Sequence, residues 1–407
     1  MRILHTSDWH LGKSIEGYSR MDEQEQFLDD FVKLVEEEKI DLVIIAGDIY
    51  DSSNPPSKAE TLFYKTLKRI SHNGKRMSLV ISGNHDNPER LVAATPLANE
   101  HGIILIATPK SIVPVGKYGR NKIIDSGEGY IEVEIKGEKA VILTVPYPSE
   151  KRLNEVLYHE VDDEKSQLKN YNERMRILFD QLSTYFRDNT INLVVSHLFT
   201  MGSEETGSER SIQLGGEFII DSSCFPERAQ YVALGHIHKP FCVPNTGGKV
   251  RYAGSPLHYS KKEIHYQKGC YILEVKPQEK PSIKEVPFKI YKPIEVWKCK
   301  SIEEAIIMCS DNAHKECWVY LEIETDRYIS EEEIKKIKTL KKDILEILPR
   351  IDNIQNEESV IQDLLDRPFE EIFEKFYTKT RGVKPKTEIV DLLLSILEKE
   401  AGENETY

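Results

Sequence analysis

No stretch of this chain approaches the ~18 consecutive apolar residues needed to cross a bilayer. No apolar leader precedes the opening Met1-Arg2-Ile3-Leu4-His5. Both absences lead us to expect a cytoplasmic protein. Cysteine is scarce, with six in 407 residues (Cys224, Cys242, Cys270, Cys299, Cys309 and Cys317) and no C-x-x-C pair. That argues against a zinc-thiolate cluster and against a disulfide framework, so reduced, mostly buried thiols are expected. Internal repeats and long low-complexity tracts are missing as well. Positive charge is in deficit, the formal net charge being −13, which is not the balance of a protein that grips nucleic acid by charge alone. The deficit is uneven: residues 289–407 carry 19 Lys and Arg against 27 Asp and Glu, leaving the larger N-terminal part only mildly acidic. Carboxylates that bind metal are neutralised by it. Charge therefore neither supports nor excludes a nucleic-acid substrate.

What is present is apolar material for a sizeable core, 39% of the residues, in a chain too long for one ordinary domain. Strand and helix signals alternate at first. Arg2–Ser7, Asp41–Gly47 and Met77–Gly83 read as buried strands. Between them Met21–Lys39 and Ser57–Ser71 read as helices, the first with Phe27, Phe31, Leu34 and Val35 on one face and the second opening on a Ser cap. Unbroken apolar strands separated by helices predict an α/β sandwich with covered sheets. Tyr130–Ile135 and Lys139–Val145 read as a hairpin, Leu168–Phe186 as a helix and Thr200–Glu217 as a loop. Further strands are expected at Ile191–Ser196, Tyr231–Gly235, Lys249–Ala253 and Gly269–Val275. Beyond a break at Pro287–Pro293, the strand signals Ile294–Lys300 and Trp318–Glu324 and the helices Ile302–Cys309 and Ser330–Leu348 predict a small α+β unit. Pro368–Lys399 reads as two apolar-striped helices, and Ala401–Tyr407 as a disordered end.

The chemistry lies where five apolar strands stop. They end in Ser7-Asp8-Trp9-His10, Gly47-Asp48, Gly83-Asn84-His85-Asp86, Ser196-His197 and Gly235-His236-Ile237-His238. Sites in α/β folds form beyond the carboxyl ends of strands. A lone D-x-H or G-D is commonplace; five strand ends of Asp, Asn and His are not. Carboxylate, amide oxygen and imidazole together suit Mn²⁺, Fe²⁺ or Zn²⁺. A shared carboxylate can bridge two cations ~3.5–4 Å apart, the spacing of two-metal hydrolases. In Asp8-Trp9-His10 and His236-Ile237-His238, alternation along an extended chain would send both ligands of each pair to one side. Gly47, Gly83 and Gly235 would let the backbone turn sharply beside the metals.

These five motifs resemble the signature of the calcineurin-like metallophosphoesterases. The segments Asp8-Trp9-His10-Leu11-Gly12-Lys13, Ser208-Glu209-Arg210 with Gly215-Gly216, Tyr231 to Lys239 and Tyr252-Ala253-Gly254-Ser255-Pro256-Leu257 narrow the resemblance to the SbcD family of bacterial nuclease subunits. One position differs from the archaeal and eukaryotic relatives: Asp51 stands where they carry histidine. The resemblance implies a four-layer sandwich, two β-sheets flanked by helices, over residues 1–288. It also implies a DNA-binding capping domain over 289–356 and a C-terminal helix pair over 357–407 that grips the coiled coil of an SbcC-type ATPase. It implies two Mn²⁺ ions, with Mg²⁺ as the other metal the ligands admit, and ATP bound by the partner rather than by this chain. Asp8, His10 and His238 would hold one ion, Asn84, His197 and His236 the other, and Asp48 would bridge them. His85 would approach the phosphate and assist the leaving group, and Asp86 would either orient His85 or cap the helix that follows. The implied activity is ATP-dependent 3′–5′ exonuclease action on double-stranded DNA and endonuclease action on single strands and hairpins, by a homodimer within a heterotetramer.

Other residues carry weaker expectations. His5 is expected packed within its sheet; His72, His101, His159, His265 and His314 on the surface or hydrogen-bonded; His258 near the cleft in one reading. Lys13, Tyr18, Arg20 and Arg90 flank the motifs and could meet DNA phosphates, with a solvated surface as the competing reading. Two further functions fit the same scaffold: a stand-alone phosphatase or cyclic-nucleotide phosphodiesterase, and a non-catalytic DNA-tethering scaffold. A scaffold would be free to lose ligands, yet all seven and His85 are present.

Overall fold

The computed structural model describes residues 1–149, 151–153, 171–203, 208–209 and 219–350, with residues 373, 385 and 390 singly. The C-terminal helices expected at 368–399 and the boundary expected at 356/357 lie outside the described residues, as do His159, Arg210 and Gly215-Gly216.

Two sheets stack face to face. The first runs in the order Ser282–Pro287, Gly269–Glu274, Arg2–Thr6, Leu42–Ala46, Met77–Ile81, Ile103–Ile106, the last four strands mutually parallel. The second has eight strands. Its core is Val250–Tyr252, Tyr231–Gly235, Ile191–His197 and Glu138–Val145, again all parallel. Side-chain alternation explains why these strands are apolar throughout. Leu42, Ile44 and Ala46 face Leu193, Val195 and Ala233 across the space between the sheets. Val43 and Ile45 point the other way, against Phe27, Phe31 and Phe63 of the helices Met21–Glu37 and Ser57–Ser71. On the far side, Leu143, Val194 and Val232 meet Met175 and Phe179 of the helix Tyr171–Ser183. The result is the expected helix–sheet–sheet–helix sandwich. His5 lies between the sheets, its Nδ1 2.9 Å from Tyr231 Oη and its Nε2 3.2 Å from the Leu234 carbonyl oxygen. All six cysteines are free.

A third sheet, Ile294–Cys299, Trp318–Glu324 and Ile344–Arg350, is parallel and carries the helices Ile302–Asp311 and Glu331–Leu340 on one face. Here one expectation fails. Ser330–Leu348 is not one helix but a helix ending at Leu340 and a strand from Ile344. Ile334, Ile337, Leu340 and Ile344 keep a helical spacing across the break, so the pattern hides it. Lys341 turns extended, and its buried ammonium binds the Lys315 carbonyl at 2.7 Å and Asp343 at 2.9 Å. Pairing beside Val319–Glu324 then overrides local helix preference. Two smaller differences are that Ser57 follows Pro56 as the first helical residue rather than the cap, and that Ile103–Ile106 and Ser282–Pro287 are strands the pattern left unassigned.

The other face of the third sheet docks on the loop that follows the first strand. Trp318, Tyr320 and Leu345 pack with Ile15, beside Tyr18. Trp318 Nε1 donates to Glu23 at 3.1 Å, and the Lys292 ammonium sits 3.5 Å from its ring centroid. Trp318→Ala removes that contact. We expect a loss of about 3 kcal/mol in urea unfolding followed by circular dichroism, with faster proteolysis of the 288–293 connection. An unchanged midpoint and cleavage rate would contradict the docking role.

Candidate metal centre

The five strand ends converge at one edge of the two stacked sheets, with Asp48 in the middle. Its Oδ2 lies 3.4 Å from His197 Nε2, 3.6 Å from His10 Nε2 and 4.0 Å from His85 Nε2. Its Oδ1 accepts the His85 backbone N–H at 2.9 Å. Two groups flank it. Asp8, His10 and His238 bring ligand atoms within 4.8 Å of one another on one side, and Asp48, His197 and His236 do so on the other. Asn84 Oδ1 joins the second group, 2.9 Å from His197 Nε2 and 3.4 Å from His236 Nδ1. A third cluster, His10, Asp51 and His85, overlaps the first. Apart from Asn84 and Asp51, which are half-buried, all these residues are buried.

Close approach of three chain segments requires the glycines. A Cβ on Gly83 would stand 2.0 Å from Asp48 Oδ1, one on Gly47 2.3 Å from His197 Nδ1, and one on Gly235 1.9 Å from the Ala46 carbonyl oxygen. Of the three, only Gly47 also needs its positive φ (91°). The sharp turns come instead from the candidate ligands. Asp8, His10, Asp48 and His236 all have left-handed backbones, with φ of 53°, 46°, 50° and 106°, strain that a well-packed surround must hold. The expected extended alternation of Asp8-Trp9-His10 is thus wrong in detail. The strand stops at Thr6, and the chain bends at both Asp8 and His10. Trp9 drives the bend: it is fully buried edge-on against Phe27, Phe31 and Phe63. The loop is then pinned from behind. Gln24 donates to the His10 carbonyl at 2.8 Å, and the Tyr259 hydroxyl donates to the Trp9 carbonyl at 2.6 Å. A polar Gln24 on the buried face of an amphipathic helix was the one sequence signal for this pinning. Tyr259, in a loop, gave none.

Donor atoms of this cluster crowd against one another, which is what a divalent cation would resolve. His197 Nδ1 lies 2.9 Å from the Ala46 carbonyl oxygen and donates to it. Its Nε2 is thereby left facing the oxygens of Asn84 and Asp48, a place that either a proton or a cation can fill. The Nε2 atoms of His10 and His238 face each other at 2.9 Å, and the buried His236 Nε2 has no hydrogen-bond partner among the described residues. Buried polar atoms without partners are rare in finished interiors. The donor set fits hard to borderline divalent ions.

Ionisation follows the same geometry. Burial pulls the His197 pKa down, but the adjacent Asp48 carboxylate outweighs it and lifts the value to about 9. Burial would raise Asp48, yet His197, His10 and His85 hold it well below the carboxylate range. Asp8 is raised by burial and by Asp48. His10 and His238 are lowered by burial, and His236 is lowered to about 3, chiefly by burial with His197 adding to it. In the metal-free protein, then, protons on Asp8 and His197 stand where cations would.

Several flanking residues are placed differently from expectation. Asp86 neither touches His85 nor caps the next helix, whose cap is Asn87. Its carboxylate accepts the backbone N–H groups of Ile49 at 3.1 Å, Tyr50 at 3.0 Å and Gly83 at 2.8 Å. It therefore ties the Asp48 loop to the Asn84 loop. The His85 ring is oriented instead by the Asp51 carbonyl, 2.7 Å from Nδ1. Arg20 is buried, paired with Glu23 and donating to the His258 carbonyl at 2.6 Å, so it is not open to a phosphate. Lys13 pairs with Asp51 at 2.7 Å, Arg90 with Glu60 at 2.7 Å, and the Tyr18 ring packs on Trp318. His258 is buried, its Nε2 2.8 Å from the Tyr266 carbonyl oxygen. His72, His265 and His314 are exposed and His101 is half-buried.

Comparison with known proteins gives concordant matches. A family model described as calcineurin-like phosphoesterase matches residues 1–240. The SbcD C-terminal model, described as type 5 capsule protein repressor C-terminal domain, matches residues 290–381. The SbcD component of the SbcCD nuclease of Bacillus subtilis is 38% identical over 398 residues, 97% of each chain. The protein of the same name from Staphylococcus saprophyticus is 28% identical over 94% of each chain. That from Rhodobacter capsulatus is 31% identical over 68% of this chain and 66% of its own.

Metal uptake should therefore release protons. His197, with its pKa near 9, is charged at pH 7 and must become neutral to ligate, as must the raised Asp8 lose its proton. Apparent Mn²⁺ affinity should fall as pH is lowered from 9 to 7, by up to about tenfold per unit for each proton displaced. Calorimetry in buffers of different ionisation enthalpy counts those protons. Affinity independent of pH over this range, with no proton release, would contradict the ionisation scheme.

Proposed function

The chain belongs to the calcineurin-like phosphoesterases, in their SbcD branch, and on that premise we propose the following division of labour for a metal-dependent nuclease subunit. Asp8, His10 and His238 hold one divalent cation, Asn84, His197 and His236 hold a second, and Asp48 bridges them. Mn²⁺ is the proposed ion, with Mg²⁺ as the alternative. The observation that carries this reading is the set of inward-facing imidazole nitrogens and oxygens around a buried Asp48. When bound, the two ions would supply Lewis acidity toward the phosphodiester and the water that attacks it.

The chain's own residues do the rest. Asp48, ionised and central, keeps both positions anionic. The His85 ring is held through Nδ1 by the Asp51 carbonyl, while its Nε2 has no hydrogen-bond partner among the described residues. That nitrogen, when protonated, gives its proton to the departing oxygen, or stabilises the charge that develops there. Asp86 acts as a positioning residue, fastening the two loops that carry Asp48 and His85.

The substrate in this reading is DNA, cut from 3′ ends of duplexes in an ATP-dependent manner and within single strands and hairpins. ATP is bound by an SbcC-type ATPase partner. Residues 289–356 act as the capping unit over the metals, and residues 357–407 as the partner-binding segment, in a heterotetramer built on a homodimer. Family membership supports the substrate and the partner; the arrangement of the donor side chains supports the hydrolysis. No helix among the described residues is long and apolar enough to cross a membrane.

Asp48→Asn should abolish Mn²⁺-dependent cleavage of DNA while leaving the circular dichroism spectrum unchanged, and wild-type rates in that variant would sink the mechanism. Running a small phosphoester beside the DNA digest tests the substrate class, since a preference for the small ester would favour a phosphatase. Deleting residues 366–407 should abolish co-purification with the SbcC-type partner. An intact complex would remove the role given to that segment.

A further inference from the structure

Behind the candidate metal position of His238 lies a buried chain of polar groups with no part in the mechanism above. His238 Nδ1 is 2.5 Å from the Ser208 hydroxyl, and that hydroxyl in turn donates to Glu263 Oε1. The other Glu263 oxygen accepts from the Lys268 ammonium at 2.5 Å. Lys268 spends its two remaining protons on the His238 carbonyl at 2.7 Å and the Ser255 hydroxyl at 2.8 Å. Glu263 and Ser255 are fully buried and Lys268 nearly so. The His238 backbone N–H is held as well, donating to Glu209 at 3.0 Å.

An ion pair placed this deep is costly unless every donor and acceptor is used, and this one uses all three ammonium protons. Its stability value alone does not explain why it ends on an imidazole. Direction does. Because the Ser208 proton is committed to the Glu263 carboxylate, the serine oxygen can only accept from His238 Nδ1. The ring is thereby locked as the Nδ1–H tautomer, and Nε2 presents its lone pair toward His10 and Asp8. The other imidazoles of the centre are backed more simply. His197 and His85 rest on single backbone carbonyls. The Asp51 carboxylate stands 3.5 Å from His10 Nδ1, too far for a hydrogen bond.

We propose that Ser208, Glu263 and Lys268 form a positioning relay that fixes the tautomer and orientation of His238, and so sets the affinity of one of the two cation positions without touching the other. Outer partners of ligating histidines contribute about 10–100-fold to metal affinity. The inference rests on His238 being a ligand, as proposed above.

The test uses the full-length, metal-free chain titrated with Mn²⁺, read by calorimetry and by the electron paramagnetic resonance of bound Mn²⁺. Ser208→Ala leaves the Glu263–Lys268 pair intact and should weaken one of two Mn²⁺ sites about 10–100-fold, with the other unchanged. Ser208→Thr, which keeps the hydroxyl, should restore it. Side-chain ¹⁵N spectra of the metal-free protein should show His238 as the Nδ1–H tautomer in the wild type and as a mixture in Ser208→Ala. Two wild-type affinities in Ser208→Ala, or an unchanged tautomer, would overturn the relay. His238→Ala separates the two ideas. If it loses one site while Ser208→Ala keeps both, the relay fails alone; if it too keeps both sites, the ligand assignment fails.

Discussion

Much of the molecule is arranged around a single buried carboxylate. Asp48 sits where the two sheets meet, and an isolated charge there would cost far more than the fold could absorb. Three imidazole nitrogens within 4.0 Å and a backbone N–H make it tolerable. Satisfying that one group dictates its surroundings. Gly47, Gly83 and Gly235 have no side chains because the chain segments must pass within contact of it and of His197. Asp8, His10, Asp48 and His236 accept left-handed backbones because no extended strand end could aim them inward. Such strain persists only where packing over-determines it, and the aromatic nest around Trp9 and the Asp86 carboxylate, with its three backbone N–H donors, supply that packing.

The same constraint reaches outward into the third sheet. Helix Met21–Glu37 presents Gln24 to the His10 carbonyl and Glu23 to Trp318. Arg20 joins Glu23 to the His258 carbonyl. One helical turn therefore touches the loop carrying a candidate ligand, the chain ahead of the Glu263–Lys268 pair and the docked α+β unit. Keeping charge balanced at that turn, rather than offering cations to solvent, is the evident use of Arg20. An α+β unit seated this way cannot shift far without disturbing the support of His10.

Legibility varied with the kind of signal. Continuous apolar runs announced the central strands almost to the residue, because a strand covered on both faces has no other composition open to it. The split after Leu340 was hidden, since Ile334, Ile337, Leu340 and Ile344 hold one spacing through a helix and into a strand. Asp86 and Arg20 were misjudged for a shared reason. A charged residue beside a motif reads as functional, yet each is also bound to the backbone of a distant segment, Asp86 by Ile49 and Tyr50 and Arg20 by the His258 carbonyl. Lys268 and Glu263 carried no signal at all, since loops lack the periodicity that betrays a buried face.

By itself, the sequence determined which atoms are available: seven metal-type donors and His85 at the ends of five apolar strands, in an order that also identifies the family. Strand alternation and residue chemistry are local properties, so they survive being read in one dimension. Only the tertiary structure decided how those donors are aimed. It put Asp48 between two groups of metal-type donors, made left-handed bends rather than strand alternation present Asp8 and His10, gave His85 to the Asp51 carbonyl instead of to Asp86, and set a buried ion pair behind His238. Each of these depends on which distant backbone amide, carbonyl or ammonium happens to arrive within hydrogen-bond reach, and that is fixed by how the sheets stack, not by any neighbour in the chain.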